Sequence, residues 1–345
     1  MPAPALPPAG ADEFVSVSVV LASLRPSSVN RENCFCITTG DGTWNTAVRD
    51  FGCAGRGLAL FWNSRMDQIA PATGRPSEQP SVNRLKIVHW ICFGLFVAVL
   101  GLVVLKTVEP IRRPETIHWP EAALVLLTAT TTLISLSRQL PGQNVLLAAA
   151  VVALIGGGAQ AIGAATAIPF GPYFYTEAAG PRLFGLLPCP VPLIWIIVIL
   201  NARGVGRLML RPWRKTRVYG FRLIGVTAAL ALIFDFGLEP FAVRVNDYWL
   251  WQRMKFPWDW YGAPVTNFVG WVVTALLILA FATPLLINKK PAKSPPPDYH
   301  PLIVWLLLNL LFVTAAFTHQ LWLAAGFSAV AGIIVAAFAI RGARW

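Results

Sequence analysis

Long apolar runs recur from residue 87 to the end of the chain, separated by short polar segments. Eight runs set the pattern, at 87–105, 119–136, 145–165, 191–200 (reaching 210 in a longer reading), 223–238, 265–287, 302–316 and 321–340. About 20 apolar residues cross ~30 Å of hydrocarbon as a helix. Backbone in lipid must satisfy its own hydrogen bonds, so these runs predict helices rather than strands. The expected fold is all-α: a polytopic transmembrane bundle of about eight spans. The fourth run is the shortest, and Pro188, Pro190 and Pro192 crowd its start. The third carries Gly156, Gly157, Gly158 and Gly163 among alanines, a pattern that lets helices approach closely.

Composition agrees with the pattern. Hydrophobic residues make up 56% and charged residues 13% of the 345, against the ~25% charged that ordinary soluble domains carry. A disordered chain, a nucleic-acid reader with a solvated basic surface and most cytosolic enzyme folds are excluded. The net charge of +12 reads as topology instead. Seven basic residues and no acid follow the fourth span (Arg203, Arg207, Arg211, Arg214, Lys215, Arg217, Arg222). Lys289, Lys290 and Lys293 follow the sixth, and Arg341 and Arg344 stand in the tail. With eight spans these fall on one side, together with Arg84 and Lys86, and basic short loops mark the cytoplasmic side. The expectation is a multi-pass protein of the cell (inner) membrane with both termini cytoplasmic and no nucleic-acid partner. Contact between the arginine cluster and lipid headgroups is a lesser reading of the same residues.

Residues 1–84 are rich in Pro, Ser, Gly and Asn and lack a long apolar run. They read as a disordered leader, or as sequence preceding a true start at Met66, and residues 85–345 as the membrane domain. Five cysteines without a second closely spaced pair, and four scattered histidines, give no metal-site or disulfide pattern. No Gly-rich nucleotide loop stands between a strand and a helix, so neither metal nor cofactor is expected.

The loops on the opposite face are 106–118, 164–190, 239–264 and 317–320, and two of them hold the candidate chemistry. Residues 168–181 read IPFGPYFYTEAAGP, and residues 235–240 read DFGLEP. Beyond these, five tryptophans fall between positions 249 and 271. An aromatic belt at the membrane interface accounts for Trp and Tyr, but not for acids, Asn and Pro/Gly turns interleaved with them. Asp235 and Glu239 are four apart and share one helical face near the boundary of the fifth span. An ionisable residue at that depth marks function, and a carboxyl group kept uncharged among apolar rings is able to donate a proton. The bland alternative pairs Glu239 with Arg244. Glu177 and Asp259 are loop acids that simple solvation explains, and Asn267 lies just inside the sixth span, where it could hold a water or a loop.

The blocks PFGPYFYTEAAGP, VPLIW, DFGLEP and YGAPVTNFVGW, the last from Tyr261 to Trp271, resemble the carotenoid biosynthesis membrane-protein family over residues 88–340. That family includes hydratases acting on the acyclic end groups of bacterioruberin-type precursors and of γ-carotene or lycopene. The resemblance implies addition of water to a terminal double bond, with protonation to a tertiary carbocation, capture by water and no cofactor. Asp235 or Glu239 would serve as acid and Asn267 would place the water. Ring faces of Tyr173, Tyr175, Trp258, Trp260 and Tyr261 would stabilise the cation at ~0.5–2 kcal/mol each, with Glu177, Gln160 and Trp271 also at the substrate. One position departs from the family pattern: where an acid stands eleven residues before the glycine of PFG, this chain has Gln160. Either hydratase activity is altered, or the amide substitutes by hydrogen bonding. Expected partners are membrane lipids, a hydrophobic carotenoid or isoprenoid substrate and other carotenoid enzymes. Competing readings are a non-catalytic lipid- or isoprenoid-binding protein, a transporter, or a scaffold for pigment enzymes; the broken repeats of a transporter have no convincing counterpart here.

Overall fold

The computed structural model describes residues 80–108, 119–252, 258–287 and 296–345, with side chains from Arg84 onward. The leader up to residue 79, the loop at 109–118 and Lys289, Lys290 and Lys293 lie outside these segments. Among the described residues, eight helices are long and apolar enough to cross a membrane. They are α1 (Pro80–Val108), α2 (Trp119–Ser137), α3 (Gly142–Thr166), α4 (Pro190–Met209), α5 (Tyr219–Pro240), α6 (Val265–Ala282), α7 (His300–Thr318) and α8 (Trp322–Ala343). The chain is a multi-pass membrane protein with an all-α bundle fold. Each long apolar run became one helix because a helical backbone satisfies its own N–H and C=O groups within the span. The crowded prolines do not shorten the fourth span. Pro190 and Pro192 sit in the first turn of α4, where a missing N–H costs nothing, and the helix follows the longer reading to Met209.

Helix α4 is the centre of the bundle and packs on α2, α3, α5, α7 and α8. Its tryptophan Trp195 lies against Gly156 of α3, where any side chain would collide with the indole. Phe170 fills the equivalent space between Gly163 of α3 and Gly270 of α6. The small residues thus allow close approach, as the third span's composition implied. Inside the bundle Asn201 of α4 donates to Thr132 of α2 at 3.0 Å, and Asn309 of α7 to the Ser328 carbonyl of α8 at 2.9 Å. Large apolar side chains such as Trp90, Leu154 and Ile333 stay exposed on the outer faces, where lipid would meet them.

Three short antiparallel ribbons cover one end. Strand β1 (Tyr173–Tyr175) pairs with β4 (Trp249–Trp251), and β2 (Arg182–Leu183) with β3 (Leu187–Pro188). Strand β5 (Asp259–Trp260) pairs with β6 (Ala263–Pro264) around Tyr261 and Gly262, both at positive φ as a tight hairpin requires. The first ribbon joins the loop after α3 to the loop after α5. These are the two segments in which the sequence placed the chemistry.

Candidate active site

Asp235 and Glu239 lie one turn apart on α5, 0% and 2% exposed. Helix α5 ends just beyond them at Pro240, and Phe241–Val245 continues as a π-turn. Proline lacks the N–H that would reach the carbonyl of Phe236 four residues back. That carbonyl instead accepts the indole N–H of Trp260 at 2.9 Å. The β5–β6 hairpin is therefore tied to α5 at the turn that carries the acids.

Asn267, in the first turn of α6, is 1% exposed and stands between the two carboxyl groups. Its amide donates to Asp235 Oδ2 and to Glu239 Oε1, each at 3.0 Å. Glu239 Oε2 accepts the indole N–H groups of Trp249 at 3.2 Å and Trp251 at 3.0 Å. Glu239 is thus held by three donors and Asp235 by one, while Asp235 Oδ1 has no hydrogen-bond partner among the described residues. No cation forms an ion pair with either acid among these residues. Arg244, the sequence-level candidate to pair with Glu239, donates instead to the carbonyl of Tyr261 at 3.0 Å.

The β1–β4 register places Tyr173 opposite Trp251 and Tyr175 opposite Trp249. Alternation along each strand turns these four rings to one face. Both phenols donate to Gln160 Oε1 of α3, Tyr173 at 2.6 Å and Tyr175 at 3.2 Å. Burial removes the phenols from water, which pushes Tyr173 up to about 12 and Tyr175 well above the ordinary value of 10. Both remain neutral donors. The stacked pair Trp195 and Trp271, with ring centroids 4.2 Å apart, closes the remaining wall. Together with Gln160, Asn267 and Glu239 these rings enclose about 30 Å³, room for a water molecule or two. The indole N–H of Trp271 is buried on this wall without a partner among the described residues.

Tyr175, Val191, Ile194 and Trp249 form a shared wall with a second cavity of about 310 Å³. It lies between the N-terminal turns of α2 and α4 and the β1–β2 segment, and Trp119, Val125, Pro181 and Pro190 line it. Its volume falls at the low end of the ~300–1,000 Å³ of small-molecule sites. Glu121, at its edge, is paired with Lys106 at 2.6 Å.

Asp235, Glu239, Asn267, Gln160, Tyr173, Tyr175 and Trp271 are therefore brought together. Four other sequence candidates stand apart. Trp258 is 73% exposed. Trp260 caps the Phe236 carbonyl and meets Phe327 of α8, while Tyr261 accepts the Ala324 N–H at 3.2 Å with its hydroxyl. The turn of the hairpin faces α8, which carries these rings away from the cavity. Glu177 is exposed and bonds Arg182 at 3.1 Å, as a solvated loop acid would. Six lining residues were missed: the aliphatic Val191, Ile194 and Leu238 and the aromatic Trp195, Trp249 and Trp251. For the last two, WLW is too short a strand to set itself apart from an interfacial belt in the sequence.

A membrane bundle with buried acids under an aromatic lid is the class of protein that fold and geometry define. The carotenoid biosynthesis protein family model matches residues 120–335, more than half of the chain, and the chain belongs to that family. It is also similar to a bisanhydrobacterioruberin hydratase of Haloarcula japonica, 29% identical over 136 residues. That stretch covers 39% of this chain and 44% of the relative, so the match spans less than half of either protein. No solved structure matches the chain significantly.

Proposed function

We propose that the protein is an integral-membrane hydratase that adds water to the terminal double bond of an acyclic carotenoid end group without a cofactor. Family membership and the hydratase relative support the substrate class. The observation that carries the chemistry is the enclosed Asp235–Asn267–Glu239 group beside a water-sized, ring-walled cavity. Two carboxyl groups buried with no cation against them cannot both hold charge cheaply, so the pair keeps a proton.

Glu239 lines the water-sized cavity and Asp235 does not, so Glu239 is the acid of this reading, and the end group has to reach it from the larger cavity past the shared wall of Tyr175, Val191, Ile194 and Trp249. Its proton passes to the hydrogen-bearing carbon of the double bond, the double bond's electron pair forms the new C–H bond, and a tertiary carbocation remains at the neighbouring, fully substituted carbon. Ring faces of Tyr173, Tyr175, Trp249 and Trp251 stabilise that cation. A water placed in the small cavity forms the C–O bond, and its surplus proton returns to the carboxylate. One alkene and one water give one tertiary alcohol, and no electrons are exchanged. Asn267 is a positioning residue that fixes both carboxyl groups, and Asp235 shares the proton of the pair with Glu239. The apolar cavity admits the end group from the bilayer between α2 and α4. With the basic loop after α4 cytoplasmic, this site lies at the outer boundary of the cell membrane.

Co-expression in a lycopene-producing host tests the reading. The expected pigment is heavier by one water per modified end. Unchanged pigment, with the protein abundant in the membrane, would overturn the hydratase reading and leave an isoprenoid-binding pocket.

A further inference from the structure

The bundle contains a larger cavity, of about 610 Å³, at the end remote from the aromatic site. Helix α4 connects the two. Val191, Ile194 and Trp195 border the aromatic cavity and Leu200, Asn201, Arg203 and Arg207 the large one, so the nearest lining residues stand about five residues, or ~8 Å, apart along the helix. Arg203, Arg207 and Arg211 enter the wall at four-residue intervals, and Arg214 and Lys215 extend it. Among the described residues Asp298 is the one acid on the wall, and its carboxylate already accepts the Gln139 amide at 2.5 Å and the His300 backbone N–H at 3.1 Å.

The positive-inside rule explains exposed basic loops, but it does not explain Arg203. This side chain is 6% exposed, lies within a span, and among the described residues makes one hydrogen bond, to the Leu286 carbonyl at 3.1 Å. No carboxylate pairs with Arg203, Arg207, Arg214 or Lys215 among the described residues. Like charges four apart on a helix repel, and a buried cation without a counter-charge is costly. A membrane protein retains such an arrangement where it serves a function. Asn201 Oδ1, buried on the same wall, also lacks a partner among these residues.

We propose that this cavity binds a phosphate group, either the headgroup of an anionic phospholipid or a soluble phosphate or diphosphate. Several guanidinium forks meet phosphate oxygens with directed, charge-assisted hydrogen bonds, which a single ammonium does not do. The site is separate from the aromatic cavity, and the proposal does not depend on the hydratase reading.

The test uses the full chain purified in maltoside detergent, with binding and thermal unfolding measured against inorganic pyrophosphate, phosphatidylglycerol and phosphatidylcholine. The wild type is expected to bind pyrophosphate or phosphatidylglycerol, with a raised unfolding temperature, and to ignore phosphatidylcholine. Arg203→Gln with Arg207→Gln is expected to weaken binding at least tenfold. Arg217→Gln with Arg222→Gln removes equal charge outside the cavity and is expected to change binding less than threefold. If the double cavity variant fails to fold by size exclusion, Arg207→Gln alone and Arg203→Lys carry the comparison. Response to pyrophosphate assigns a soluble ligand, and response to phosphatidylglycerol alone assigns a headgroup. No response to either, or equal loss in the charge-matched control, would overturn the proposal.

Discussion

Asn267 holds two carboxyl groups with one amide, and this arrangement separates their roles. Glu239 takes three donors and faces the cavity, whereas Asp235 sits behind with one oxygen unpartnered. Glu239→Gln is expected to lower hydration by about 10²–10⁴-fold, the range of a lost general acid, with membrane yield unchanged in a product assay. Asp235→Asn should cause a similar loss and also move the pH–rate profile, because the remaining acid titrates alone. An unshifted profile would remove Asp235 from proton sharing. The tyrosines give a second pH signature. Tyr173 and Tyr175 deprotonate above their ordinary value of 10, so whatever stability their neutral forms contribute is complete below pH 10 and is lost as pH rises further, through about 12 for Tyr173. Ultraviolet titration should therefore show these two of the 6 tyrosines ionising last or only on unfolding. The four-residue spacing of Asp235 and Glu239 was legible in the sequence, and so was the odd Gln160. The partners of Glu239 were not, because three-residue strands such as WLW carry too short an alternation to be distinguished from an interfacial belt.

At the scale of elements, the helices were legible because each is a long, mostly apolar run, and a single such run satisfies its backbone in lipid as a helix. The covering ribbons were not, since nothing local in loops 164–190 and 239–264 states that Tyr173 will face Trp251. The glycines show both cases. A side chain at Gly270 would lie 2.6 Å from the ring of Phe170, whereas one at Gly158 meets nothing within 4 Å. Gly270→Val should therefore lower stability by ~1–3 kcal/mol through overpacking. Gly158→Ala should be neutral or raise it by up to ~1 kcal/mol through helix propensity. Thermal unfolding in detergent separates them, and equal effects would contradict the packing of Phe170 between α3 and α6. The π-turn after Pro240 belongs here too, because one missing N–H bends the chain and recruits Trp260 from a distant hairpin.

For the whole molecule, the charge pattern foretold two unlike ends, and the described residues show unlike cavities there, two with aromatic walls at one end and one walled by arginines at the other. In a cysteine-free background, Glu177→Cys is expected to react with an impermeant maleimide from outside, and Arg217→Cys only after the membrane is opened. The reverse pattern would place the aromatic site on the cytoplasmic side. The central claim is that a buried carboxyl pair protonates an alkene and water captures the cation. Its most direct test is turnover of an acyclic carotenoid by the purified protein in deuterated, oxygen-18-labelled water, followed by mass spectrometry. The account predicts one deuterium on the adjacent carbon and one oxygen-18 in the new hydroxyl for each hydrated end, with no added reductant or oxidant. A hydroxylated product lacking the heavy oxygen, or one formed only with a redox partner, would contradict it.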